Sequence, residues 1–149
     1  MGAVALGVGA SACDGVDPGS AAQAQDFAQE VFAATNTARE TGGLAPLAWS
    51  DCLADAASQR AEGVKDQPVL EHAPLAVQCT DADTAGENLS RVEGDAYTVV
   101  ERWMGSPTHE ANVMSPAYEV AGVACVPVQR AFACSWLAEG TANDASVIS

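Results

Sequence analysis

Apolar positions recur along this chain with two different periods, and the change of period divides it. Phe27, Val31, Ala34 and Ala38 are spaced at four, three and four residues, which aligns them on one face of a helix. Gly42 and Gly43 end that helix, because glycine takes the left-handed C-terminal cap at least cost. Asn36 and Arg39 are three apart and therefore neighbours on its surface. An extended connector, Leu44 to Leu47, leads to Ser50, which is placed to cap a second helix running to about Gly63. Leu53, Ala57, Arg60 and Val64 share one side of it. Ala96, Val99, Val100 and Trp103 define a third helix, opened at Gly94 or Asp95 and stopped at Gly105. Ser106 and Pro107 then restart a helical turn, serine as cap and proline at the first position.

Toward the C-terminus the period falls to two. Residues 118–126 and 131–138 read as strands, with Phe132, Cys134 and Trp136 on one face and Ala133, Ser135 and Leu137 on the other. A two-residue turn at Gln129 and Arg130 pairs Val128 with Ala131 and sets Cys125 opposite Cys134, within disulfide reach. Gln-Arg is an uncommon pair for so tight a turn, and a four-residue loop in the same register is the alternative. Between the second and third helices no period holds. Pro68 and Pro74 make residues 65–84 irregular, and a loop of that length inside a compact domain is often functional. Gly86 to Leu89 reads as a short strand or tight turn. Residues 14–25 form a linker, and residues 139–149 read as a frayed tail.

A chain of 149 residues suits one domain with its own core. Six basic against twenty acidic residues leave a net charge of −14. Such a surface repels nucleic acid and anionic membrane, and attracts divalent cations. A solvated acidic coat explains the same charge more plainly. No apolar run approaches the ~20 residues needed to span a bilayer. None of the five cysteines forms a CxxC pair, which removes zinc-ribbon and thioredoxin-like readings. Residues 1–12 are small and apolar and end in Ala-Ser-Ala before Cys13, like the tail of a secretory signal, and Cys13 is a candidate for lipid acylation. Export leaves four cysteines for the domain, and the predicted disulfides are Cys125–Cys134 and Cys52–Cys79.

The candidate chemistry is sparse. The two histidines are His72 and His109, and Glu87 stands between them, 15 and 22 residues away. No single helix can join them. If the fold does, two imidazoles and a carboxylate share a cleft suited to a divalent metal or to acid–base work; otherwise the histidines are unrelated surface residues. His109 falls at the third position of a helical turn, where the dipole disfavours the imidazolium form. Neutral imidazole is what a ligand or a general base requires. A histidine merely satisfied at a helix start is the plainer reading. Phosphate loops, nucleophile elbows, internal repeats and basic aromatic patches do not occur.

Several segments agree in order and spacing with one known family. EHAPL at 71–75, GENL at 86–89 and WMGSPTHEAN at 103–112 carry the likeness. Asn36-x-x-Arg39 with GGLAPLAW at 42–49, AGVAC at 121–125 and FACSWL at 132–137 extend it over about residues 26–138. The chain resembles the CAP superfamily, also called SCP-like, which includes cysteine-rich secretory proteins, plant pathogenesis-related proteins and many bacterial secreted members. The resemblance implies an α+β fold, a three-layer α-β-α sandwich with a small antiparallel sheet. It implies that His72, Glu87 and His109 line a central cavity, and that Asn36 and Arg39 tie the first helix to neighbouring loops. The family pattern has a second glutamate just after the tryptophan of the third helix. Here Met104, Gly105 and Ser106 follow Trp103, and Glu101 lies on the wrong side to substitute.

The functional expectation is an exported, monomeric binding module. Its cleft would hold a divalent cation such as zinc, a lipid or an envelope component, with the metal on His72, His109 and Glu87. The alternatives are a metal-dependent hydrolase in the cell envelope, with Glu87 as general base on a zinc-bound water, and a structural envelope protein with a vestigial cleft.

Overall fold

A computed structural model describes residues 21–142. The expectations for the leader, the first part of the linker, Cys13 and the end of the tail lie outside the described residues. The elements in order are α1 (Ala21–Thr41), β1 (Ala48–Trp49), α2 (Asp51–Val64), β2 (Thr84–Ser90), α3 (Ala96–Met104), α4 (Pro107–Val113), β3 (Tyr118–Val128) and β4 (Ala131–Gly140).

Helix α1 begins inside the stretch read as linker. Ala21 to Gln25 is alanine and glutamine, both good helix formers, and Ala24 is buried. Helix α2 is capped as expected, Ser50 accepting from the backbone N–H of Leu53 at 3.1 Å. Its other end is closed by a side chain from β2's exit: Arg91 donates to the carbonyls of Val64, Lys65 and Gln67, where the C-terminal dipole favours a cation. Asp95 caps α3 through Thr98 N–H at 2.9 Å.

The four strands form one sheet in the order β1-β3-β4-β2. The two long pairings are antiparallel, as expected. The two-residue β1 runs parallel to β3, so the sheet is mixed. The β3–β4 hairpin has the tight register, Val128 opposite Ala131, and Gln129 takes a left-handed conformation at φ 51° to close it. Strand β4 continues to Gly140, beyond the expected start of the tail. Glu139 is fully buried there and accepts from the N–H groups of Gln78 and Cys79 and from the Thr80 hydroxyl. A carboxylate with that many donors is held in place, and so is the loop it binds.

Helices cover both faces, which makes the three-layer α-β-α sandwich. On one face Phe27, Val31 and Ala34 of α1 meet Val99, Val100 and Trp103 of α3, Val113 of α4, and Val123, Cys134, Trp136 and Ala138 of the sheet. On the other, Leu53 and Ala57 of α2 pack on Leu137. Every residue of β4 from Ala133 to Gly140 is buried, because the strand is central and covered twice. Each large buried aliphatic side chain contributes about 1.5–3 kcal/mol. Helix α2 approaches the sheet so closely that a Cβ on Gly122 would lie 2.2 Å from the backbone nitrogen of Ala54. Both disulfides form as predicted, Cys52–Cys79 and Cys125–Cys134, with Cα separations of 5.8 and 4.1 Å. The first ties the start of α2 to the long loop. Among the described residues no helix is long and apolar enough to cross a membrane.

Candidate functional site

Strand β2 lies at the sheet edge, and each residue of its Gly-Glu-Asn turns a different group to use. Glu87 stands opposite Leu137, on the face covered by α2. Only 4% of it is exposed. Its carboxylate accepts from four directions. Arg60 of α2 lays its guanidinium across it as a fork, Nε on Oε2 and Nη2 on Oε1 at 2.8 Å. Ser135 of β4 donates to Oε2 at 2.8 Å, and His72 Nδ1 donates to Oε1 at 2.8 Å. Arg60 also donates to the carbonyls of Ala73 and Pro74, at 2.8 and 3.2 Å, and so holds the segment that carries His72.

The electrostatics follow from these contacts. Burial pushes the Glu87 carboxyl up, but the hydrogen bonds from Arg60, His72 and Ser135 and the charge of Arg60 outweigh it, and the group sits below the ordinary carboxylate range. The Glu87 carboxylate in turn raises Arg60, against the effect of its burial. Both remain charged at neutral pH. With Nδ1 fixed on Glu87, the His72 side chain remains half-exposed.

Asn88 points the opposite way and is fully buried. It donates to the His109 carbonyl at 3.0 Å. Asn112 of α4 donates to Asn88 Oδ1 at 2.9 Å and to the Glu87 carbonyl at 3.0 Å. These amides fasten α4 to β2. Gly86 is required by the same contact, since a Cβ there would lie 2.2 Å from the Tyr118 hydroxyl and 3.0 Å from Asn112 Oδ1. Ser106 has the extended backbone of a cap, but its hydroxyl is engaged with His109 Nδ1 at 3.0 Å instead of with the helix backbone. The His109 imidazole is lowered, as expected, but by burial and by the charge of His72.

The fold therefore joins His72 to Glu87 directly and sets His109 on the adjoining α4, close enough to feel His72. A cleft of about 340 Å³ opens beside the pair, lined by Gln59, Arg60, Gln67, Glu71, His72 and Glu87 among others. His109 does not line it. The three-ligand zinc centre does not fit this arrangement. Among the described residues no group of three His, Cys, Asp or Glu side chains is gathered to hold a metal. The physical reason is Arg60, whose fixed positive charge stands against the carboxylate that a cation would need.

Arg60, Ser135 and Asn112 were placed on their elements by the sequence but given no role in the site. Arg60 left one signal, a basic residue on a buried helical face, where a charge requires a partner. Asn36 and Arg39 do tie α1 to loops. Asn36 exchanges two hydrogen bonds with the backbone of Leu47, at 2.8 and 3.0 Å. Arg39, fully buried, donates to the carbonyls of Ala45, Val113 and Ser115.

An α-β-α sandwich with Glu87 and Asn88 on its edge strand, His72 on the loop before it and His109 on α4 is of the CAP type. The family model described as Cysteine-rich secretory protein family matches residues 32–136, and the chain belongs to that family. The chain is 28% identical over 109 residues to YkwD of Bacillus subtilis, an uncharacterized protein, covering 67% of this chain and 42% of that one. Its fold is similar to an extracellular SCP-domain protein of Bacillus anthracis, at 22% identity and a TM-score of 0.65, over 78% of this chain and 41% of that one. It is also similar to an outer surface protein of Borrelia burgdorferi, at 15% identity and a TM-score of 0.68, over 82% and 98%. The chain thus spans less than half the length of the two Bacillus proteins.

Proposed function

We propose that this CAP domain works outside the cytoplasm as a binding module, and that its working surface is the cleft over His72 and the Arg60–Glu87 pair. The observation that carries the reading is the saturation of Glu87. Its oxygens accept from Arg60, His72 and Ser135, which leaves no lone pair free to activate water or take a cation. The carboxylate acts through His72, fixing the half-exposed ring that lines the cleft. Gln59, Gln67 and Glu71 make the rim polar, which suits a polar envelope fragment, a peptide or a glycan, better than an acyl chain. Two disulfides favour an oxidising compartment. The names of the Bacillus anthracis and Borrelia proteins favour the same location.

The test is a titration of the labelled domain, and of His72→Ala, with soluble envelope fragments and separately with zinc, followed by amide shifts. Fragment-induced shifts around Gln67, His72 and Glu87 that vanish in His72→Ala are expected. Stoichiometric zinc binding lost in the His72→Ala, His109→Ala double variant would overturn this reading in favour of a metal site. Cleavage of the fragments, lost in Glu87→Gln, would establish a hydrolase.

A further inference from the structure

Arg60, Glu71 and Glu87 are the carboxylates and guanidinium that line the His72 cleft. Arg60 and Glu87 cancel, joined as a fork. Arg60 spends further donors on the carbonyls of Ala73 and Pro74, so four of its five N–H groups are engaged and little is left for an anionic ligand. Glu71 is exposed and, among the described residues, has no basic partner; the neighbouring Lys65 pairs with Glu62. His72 donates from Nδ1 to Glu87, so the neutral ring has an acceptor at Nε2, which no described residue engages. Gln67 Oε1 is taken by the N–H of Glu71 at 3.2 Å. What the cleft leaves unanswered is one carboxylate and one ring nitrogen, both acceptors.

The walls are of another kind. Gly63, Val64 and Ala73 bring no polar side chain to the cleft. Gly63 stands in the last turn of α2, where alanine would favour the helix more. Its backbone is not left-handed, and a Cβ there would meet nothing within 4 Å, so neither conformation nor close packing requires the glycine. The missing side chain leaves the cleft open. We propose, building on the reading of this cleft as the working surface, that it receives an alkylammonium group, as on a lysine side chain of an envelope peptide. The stem lies against Gly63, Val64 and Ala73, and the ammonium sits beside Glu71 and the His72 ring. A lysine side chain has the same division, an apolar stem and a charged head with three donors and no acceptor. An uncharged glycan supplies donors without the charge, and an anion meets Glu71 unopposed.

The experiment follows amide shifts of the labelled protein on addition of Nα-acetyl-lysine amide, and of Nα-acetyl-norleucine amide, which keeps the stem and lacks the ammonium. Shifts at Gly63, Gln67 and Glu71 are expected with the lysine compound, and the norleucine compound should bind about fivefold more weakly. Glu71→Gln should weaken lysine binding by about the same factor. Asp55→Asn removes an exposed carboxylate of α2 outside the cleft and should leave binding unchanged. Gly63→Phe should fold, since its Cβ meets open space, and should abolish binding by filling the cleft. Equal binding of the two compounds, full binding by Glu71→Gln, or binding retained in folded Gly63→Phe would each overturn the proposal. If envelope fragments shift the cleft amides and the lysine compound does not, the ammonium proposal falls and the cleft reading stands. If neither shifts them, both fall.

Discussion

Arg60→Met tests whether the fold depends on the ion pair beneath the cleft. Methionine keeps most of the stem's length and loses the charge. Glu87, 4% exposed, would retain Ser135 and His72 but lose two of its four hydrogen bonds and its counter-charge. Removing one partner of a buried pair costs about 3–5 kcal/mol. The Arg60 side chain is 15% exposed and two donors survive, so the lower end applies, about 3 kcal/mol. For a domain of this size that is a fall of about 10 °C in Tm. The pH dependence carries a sign. In the parent the Glu87 carboxyl lies below its ordinary value, so its contribution is complete above the unfolded value of 4.5 and is lost as pH falls through the folded value. In the variant the hydrogen bonds and charge of Arg60 no longer oppose burial, so the folded value rises and the variant loses less than the parent as pH falls. Thermal unfolding followed by circular dichroism at pH 7 and pH 4 should show a large gap that narrows on acidification. A variant within about 0.5 kcal/mol of the parent at pH 7, or a gap independent of pH, would refute the reasoning.

Arg39→Met should cost about 2–4 kcal/mol in denaturant unfolding, because three carbonyls lose their donors in a buried site. Gly86→Ala should cost about 1–3 kcal/mol by the clash with Tyr118, and Tyr118→Phe should recover part of it; equal stability of Gly86→Ala and parent would contradict the close approach. The His109 imidazole should titrate below 6.5 by NMR, since burial and His72 favour the neutral form, and should rise toward that value in His72→Ala. Its contribution to stability is present above 6.5 and is lost as pH falls from there through the folded value.

Local patterns were enough to read most elements in the chain. The 3.6-residue spacing of Phe27, Val31 and Ala34, the capping residues Ser50 and Asp95, and the alternation of Phe132, Cys134 and Trp136 each reflect a preference that acts within one element. The hairpin register, and with it the Cys125–Cys134 bond, follows from the same kind of local counting. Glu139 could not be read this way, since what holds it is a loop some sixty residues upstream.

The candidate site divides along the same line. The motifs marked His72, Glu87 and His109, but a motif states which residue types recur and not what lies against them. Arg60 is 27 residues from Glu87 in the chain and on another element, and Ser135 is 48 residues away. Only the packing of α2 on the β2–β4 face brings their donors onto one carboxylate. That is why sequence alone determined a CAP-type sandwich with a His and Glu cleft, while tertiary structure decided that the charge opposite Glu87 is a guanidinium. An ion pair across elements depends on distance in space, and spacing along the chain does not encode it.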